Sequence, residues 1–266
     1  MRTSSFQNPG LSPLINEIGI TARALWQKGW AERNAGNISV NSSRETVGTD
    51  FRDVVERPLQ PPRPLLSGNS FLLTSTGSRM RELAEAAENG LCLIRINESG
   101  TGYFQACPEN PVQPTSELPS HLGIHEMLLK EKPGYSAIVH THCTELIALT
   151  HIRNYCSTAT LNRLLWSMHP ETMLFAPRGI GFIPFTVPGT EKIGKVTVEL
   201  LRHHDIVVWE KHGVMAIGRT VSEAFDLVDL MAKAAGIFLT VRNAGYYPEG
   251  LSDGQLAQIK QNNPSI

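Results

Sequence analysis

An α/β fold, a sheet with helices packed on both faces, is what this chain of 266 residues predicts, and three observations carry the prediction. Strand-like and helix-like stretches alternate along the whole length instead of segregating into halves. Apolar residues make up 41%, enough to fill a core and far from the composition of a disordered chain. Only residues 55–69, with Pro58, Pro61, Pro62 and Pro64, break this texture, and they read as a surface loop. The texture resumes directly behind them. The whole chain, 1–266, therefore reads as one domain, with 1–11 and 244–266 peripheral.

The elements follow in order. Ser12-Pro13 reads as an N-cap with proline in the first turn. Leu14, Ile15, Ile18, Ala22, Leu25, Trp26 and Trp30 then recur at helical spacing, so a helix is expected to about Arg33. Ile38–Val40 and Ser70–Thr74 read as strands, with a helix from about Arg79 and a strand over Leu91–Ile96. Pro114-Thr115-Ser116 introduces a helix over Glu117–Lys130, closed by Pro133-Gly134. Ala137–His142 is a strand and Thr144–His151 a short helix. A helix after Thr190 to about Arg202, strands at Asp205–Trp209 and Val214–Ile217, and a helix capped by Thr220 and reaching about Arg242 complete the series. The tail beyond is uninformative.

Composition excludes several function classes. Lys and Arg number 24 against 25 Asp and Glu, so the surplus positive charge that nucleic-acid or anionic-membrane binding requires is missing. Charged residues are only 18%, which leaves surface suited to burial against another subunit. No apolar run reaches the roughly 18–20 residues of a membrane span, and the first residues lack a secretory apolar stretch. Cys92, Cys107, Cys143 and Cys156 form no C-x-x-C pair. A cytoplasmic protein is expected. Nucleotide-binding glycine motifs and the G-x-S-x-G elbow are absent.

His140-Thr141-His142 carries the most chemical information. Alternate residues of a strand share a face, so the two imidazoles can converge on one ion. Such a pair can equally be held by ordinary hydrogen bonds, and a third ligand must come from elsewhere. His212, in a turn after a buried-looking strand, is the candidate. A rival set lies on the helix after Pro114, where Glu117, His121 and His125 share one face without the glutamate of H-E-x-x-H. His151, His169, His203 and His204 read as surface or structural residues. Glu117, at the start of its helix, suits acid/base work, although acidic residues belong in a first helical turn in any case. The polar turns Asn34–Asn37 and Thr74–Ser78 could supply donors to a phosphate.

Taken in order, Glu32–Asn37, Thr115–His121, Val139–His142 and Lys211–Val214 resemble the class II aldolase/adducin family, a likeness extended by Lys28–Asn34, Pro114–Pro119, Phe182-Ile183-Pro184 and Val187–Thr190. It covers about residues 12–243. The resemblance implies a three-layer α/β/α fold with a largely antiparallel central sheet, assembled as a homotetramer with active sites at subunit interfaces. It implies Zn²⁺ held by His140, His142 and His212, and metal-dependent, reversible aldol cleavage of a sugar phosphate. Asn34, Asn37, Thr76, Gly77, Thr115 and Ser116 would line the phosphate end, Glu117 would be the acid/base, and Glu171 a second carboxylate supplied by a neighbouring subunit. A Schiff-base route would need a buried lysine, whereas Lys28, Lys130, Lys132 and Lys195 all read as exposed helical residues. Two other readings stay open: an aldolase or 4-epimerase of another sugar phosphate, and a non-catalytic adducin-like interaction module. The three histidines and Glu117 are all present, which favours an enzyme.

Overall fold

A computed structural model describes residues 8–49, 56–105 and 112–263. Its strands are β1 (Asn37–Asn41), β2 (Glu56–Pro58), β3 (Ser70–Thr74), β4 (Leu91–Ile96), β5 (Gly102–Gln105), β6 (Ala137–Thr141), β7 (Ile180–Ile183), β8 (Ile206–Trp209) and β9 (Gly213–Gly218). The helices are α1 (Ser12–Gln27), α2 (Met80–Ala86), α3 (Leu118–Glu131), α4 (Thr144–Leu149), α5 (Thr158–Met168), α6 (Pro170–Phe175), α7 (Glu191–Leu201), α8 (Val221–Asn243) and α9 (Asp253–Asn262). The strands form one sheet in the order β2-β5-β4-β3-β1-β6-β9-β8-β7. Every neighbouring pair is antiparallel except β7–β8.

Alternation along the strands builds two cores. Ile38, Val40, Leu72, Val139, Val208 and Ala216 face α1, α2, α4, α5 and α8. Their neighbours Ile138, Val207, Trp209, Met215 and Ile217 face α3 and α7, and Phe71, Leu73 and Ile94 extend that side beneath the start of α3. The expected three layers are thus present, with the mostly antiparallel sheet in the middle.

Local chemistry moves several expected boundaries. Ser12 is the first helical residue and gives no side-chain cap, because a 3₁₀ turn at Pro9–Leu11 leads into α1. The helix stops at Gln27, short of Arg33. Gly29 adopts φ +73°, its N–H reaches Trp26 O, and Trp30 N–H reaches Leu25 O, a Schellman closure. Trp30 is buried as the periodicity suggests, yet it sits beyond the helix and donates Nε1–H to Glu145 (2.8 Å). The proline-rich stretch does contain regular structure: β2 pairs with β5 at the sheet edge, where Pro58 costs no central ladder bond. Residue 55 of that stretch lies outside the described residues.

The ends are less peripheral than expected. Leu11 is fully buried, and the tail carries α9, with Leu256 buried beneath it. A capping box between Ser252 and Gln255 starts α9. Residues 1–7 and 264–266 lie outside the described residues, as does Cys107. Cys143 and Cys156 are free thiols. Lys132 is not an exposed helical residue: it sits just past α3, buried, with Nζ on Asp205 (2.7 Å). No described helix is long and apolar enough to cross a membrane.

Candidate functional site

The site forms where β1, β6 and the β8–β9 turn meet the start of α3. His140 lies one residue before the end of β6 on the face toward α3 and α7, and two residues on His142 turns toward the same point. The chain leaving β6 is pinned to the segment after α1 by His142 N–H to Trp30 O (2.9 Å) and Thr141 Oγ1–H to Trp30 O (2.7 Å). His212 comes from the three-residue turn between β8 and β9, which is tight enough to place Lys211 at φ +60°. Each of the three imidazoles offers a nitrogen within 4.8 Å of the others, and among the described residues they are the one such His/Cys/Asp/Glu group. The indole of Trp209 packs against His140 and His212, with ring centres 4.8 and 5.0 Å away.

These residues fit a metal ion. His140 Nδ1 is paired with Val214 O (2.8 Å) and His142 Nδ1 with Glu32 Oε1 (2.6 Å). Both rings are therefore oriented by an outer partner while Nε2 stays available, the arrangement that metal-ligating histidines show. His212 Nδ1 is buried with no hydrogen-bond partner. Burial lowers the pKa of His140, and burial together with the other two imidazoles brings His212 down to about 4, so both rings are neutral donors at pH 7. Gly213 also belongs to the cradle: a Cβ there would lie 2.6 Å from Thr141 O and 3.1 Å from the rings of His140 and His142.

Glu117 is the N-cap residue of α3, and its carboxylate does not cap the helix. It turns into the site, with Oε2 3.8 Å from His140 Nε2 and accepting from Asn37 Nδ2 (3.0 Å). The antiparallel register makes this possible by setting Asn37 directly opposite His140. Burial alone would raise the Glu117 carboxyl; His140, the bond from Asn37, His121 and His212 outweigh it and hold the pKa below its ordinary value. The imidazoles favour this carboxylate through positive charge, which they carry only once protonated at low pH. A divalent cation there would act in the same direction.

Every candidate site residue except Glu171 lines one cavity of about 150 Å³ with the histidines. Asn34 and Asn37 enter from the turn before β1, Thr76 and Gly77 from the turn after β3, and Thr115 and Ser116 from the approach to α3. Gly36 holds the first turn against β6: it has φ +80°, and a Cβ would lie 2.9 Å from His140 O. Thr76 is already engaged, its N–H on Gln113 O (2.8 Å) and its hydroxyl on Pro114 O (2.7 Å). Ser75, beside it, lines the cavity with a buried Oγ that has no partner. A larger groove of about 830 Å³ runs between α3 and α7 and shares Ser116 and Glu117 with the cavity.

Glu171 lies elsewhere in the chain. It occupies the first turn of α6, a helix that packs with α5, α8 and α9 on the opposite face of the sheet. Its Oε2 is buried and 3.2 Å from His169 Nδ1, without hydrogen-bond geometry. The rival helical set separates as well. His121 and His125 both bond Ser39 Oγ (2.7 and 2.8 Å) and converge on no third ligand. Glu32 is the partner that sequence reasoning missed, although it stands in the first of the quoted motifs.

Known proteins resemble this chain over most of its length. Residues 16–239 match the model of the Class II Aldolase and Adducin N-terminal domain. The rhamnulose-1-phosphate aldolase of Bacteroides thetaiotaomicron is 40% identical, over 97% of this chain and 97% of its own. That of Listeria welshimeri is 33% identical over 90% of this chain and 86% of its own. Among solved structures, a sugar-phosphate aldolase from Thermotoga maritima superposes with a TM-score of 0.76 at 36% identity, covering 90% of this chain and 99% of that one. An L-fuculose 1-phosphate aldolase shares the fold at 17% identity, with a TM-score of 0.63 over 94% of this chain and 96% of that one. Motif order, sheet topology and full-length likeness agree: the chain belongs to the class II aldolase and adducin family.

Proposed function

We propose that the chain is a zinc-dependent aldolase that cleaves L-rhamnulose 1-phosphate reversibly to dihydroxyacetone phosphate and L-lactaldehyde, in rhamnose catabolism. The observation that carries the reading is the convergence of His140, His142, His212 and Glu117 on a cavity walled by polar turns. The full-length likeness to rhamnulose-1-phosphate aldolases supports the choice of sugar. An intact ligand set with an acid/base beside it favours an enzyme over an interaction module.

His140, His142 and His212 would hold the zinc, which when bound supplies Lewis-acid stabilisation of the charge that develops on the dihydroxyacetone fragment. The remaining work falls to the chain's own groups. Asn34, Asn37, Gly77, Thr115 and Ser116 would bind and orient the phosphate end, with the unpartnered Ser75 hydroxyl better placed to donate than the engaged Thr76. Cleavage removes the proton of the C4 hydroxyl, forms the aldehyde C=O and leaves the electron pair of the C3–C4 bond on the ketone fragment. Glu117, 3.8 Å from His140 and held by Asn37, would deliver a proton to C3 and remove it in the reverse direction. Glu171 of the partner subunit would assist at the C4 hydroxyl, since within one chain Glu171 lies in the opposite helical layer. No lysine is among the residues lining the cavity, so a Schiff base finds no support there.

A homotetramer with sites at subunit interfaces, a cytoplasmic location and a single domain belong to the same proposal. Rates on L-rhamnulose 1-phosphate, L-fuculose 1-phosphate and L-ribulose 5-phosphate test it. The rhamnulose ester is expected to give the highest kcat/KM; a preference for either other ester would reassign the substrate.

A further inference from the structure

Behind Glu117 the polar groups continue inward between β1 and α3. Asn37 Nδ2 donates to Glu117 Oε2 (3.0 Å), and on its other side Asn37 Oδ1 meets His121 Nε2. His121 Nδ1 lies 2.7 Å from Ser39 Oγ, and the same oxygen lies 2.8 Å from His125 Nε2. Ser39 and His121 are fully buried, His125 nearly so, and the Phe71 ring packs on His125 with centres 4.7 Å apart. Secondary structure lines these groups up: residues 37 and 39 share a strand face, and 121 and 125 are one helical turn apart.

Donor and acceptor capacity allows this row only one direction. An amide that gives its NH₂ to Glu117 has its oxygen left for His121, so His121 must donate from Nε2. A neutral imidazole that donates from Nε2 accepts at Nδ1, so the single hydroxyl proton of Ser39 goes there. Ser39 then has only lone pairs for His125, which must donate from Nε2. A second ring proton would relax this order. Burial prevents it, bringing His121 down to about 4 and His125 well below its ordinary value.

We propose that His125, Ser39 and His121 form a one-way hydrogen-bond chain that fixes the Asn37 amide with its NH₂ toward Glu117, making His121 and Ser39 positioning residues for the reaction. With the amide reversed, its oxygen would face the Glu117 carboxylate, and the carboxylate would lose its aim at the cavity. The proposal rests on Glu117 as the acid/base, and its test is chosen to fail separately from that reading.

Two measurements on the full-length, zinc-loaded protein decide it. Long-range ¹H–¹⁵N spectra of histidine-labelled protein, assigned with the variants below, report the ring tautomers without reference to activity. His121 and His125 are expected as neutral Nε2–H rings between pH 6 and 8; an Nδ1–H or doubly protonated His121 overturns the chain. Second, His121→Phe is expected to lose about 100-fold in kcat, the scale of a misplaced catalytic group, with KM within about threefold and zinc content unchanged. His121→Gln keeps a donor for Asn37 and is expected to recover to within about tenfold of the parent. Ser39→Ala, a smaller change, is expected to lower kcat in the same KM-independent way. Parent-like kcat in His121→Phe, or a folded His121→Gln no better than it, refutes the positioning role. Should the parent turn over no sugar phosphate, the functional reading fails while the tautomer spectrum still decides the chain of bonds.

Discussion

Removing the Glu32 carboxylate isolates what an outer partner does for the histidine cluster. Glu32 Oε1 lies 2.6 Å from His142 Nδ1 and orients that ring, while His140 has a backbone carbonyl in the same role. Loss of such a partner costs metal affinity by about 10- to 100-fold. The Glu32 side chain is 66% exposed, so in Glu32→Ala water can take over the acceptor position. The lower end of the range is therefore expected, about tenfold or about 1.4 kcal/mol. Glu32→Gln keeps an oxygen acceptor and should stay within about threefold of the parent. Zinc affinity is read by competition against a chromophoric chelator at pH 7.5, with circular dichroism to verify the fold. Unchanged affinity in Glu32→Ala would refute the orienting role. A loss of about 1,000-fold or more, beyond any outer-partner effect, would mean that Glu32 is itself a ligand.

Further outcomes follow from the same geometry. Glu117→Gln should lower turnover by about 10²- to 10⁴-fold while zinc stays bound, measured by single-turnover kinetics and metal analysis. The His140/His142/His212 triple alanine variant should lose zinc; full occupancy would sink the ligand assignment. His121 and His125 titrate far below pH 6.5 when folded and near it when unfolded, so the unfolded chain binds more protons between about pH 4 and 6.5. The stability of chelated protein should then fall as pH drops through that window, by about 1.4 kcal/mol per pH unit for each ring at most, and urea midpoints that stay flat from pH 7 to 5 would contradict this. Trp30→Phe strips the indole donor from the half-buried Glu145, leaving it the weak Cys143 thiol, and should cost about 2 kcal/mol in denaturant titration, whereas a loss under about 0.5 kcal/mol would mean that water replaces the bond.

The histidine cluster was legible because its two halves obey simple rules. Spacing of two in a strand fixes a shared face, and a histidine in a tight turn after a buried strand projects at that strand's end. Only the antiparallel pairing of β6 with β9 brings the halves together, and pairing is not written in either segment. His121 and His125 show the converse: their spacing announces one helical face but not that the buried hydroxyl of Ser39 lies opposite. Trp30 kept the helical period after Gly29 had ended the helix, because periodicity reports burial and not hydrogen bonding. The short strands β5 and β7 and the helices α5 and α6 escaped notice where apolar runs are brief, and their identity comes from packing on the sheet. The Ser252/Gln255 capping signal of α9 was available and unread.

Release of dihydroxyacetone phosphate from L-rhamnulose 1-phosphate, followed before chelation, after chelation and after zinc is restored, tests the central claim most directly. The geometry of His140, His142, His212 and Glu117 predicts activity that disappears with the chelator and returns with zinc. Undiminished release from metal-free protein would contradict the role given to the histidines, and no release from fully zinc-loaded protein would contradict the substrate.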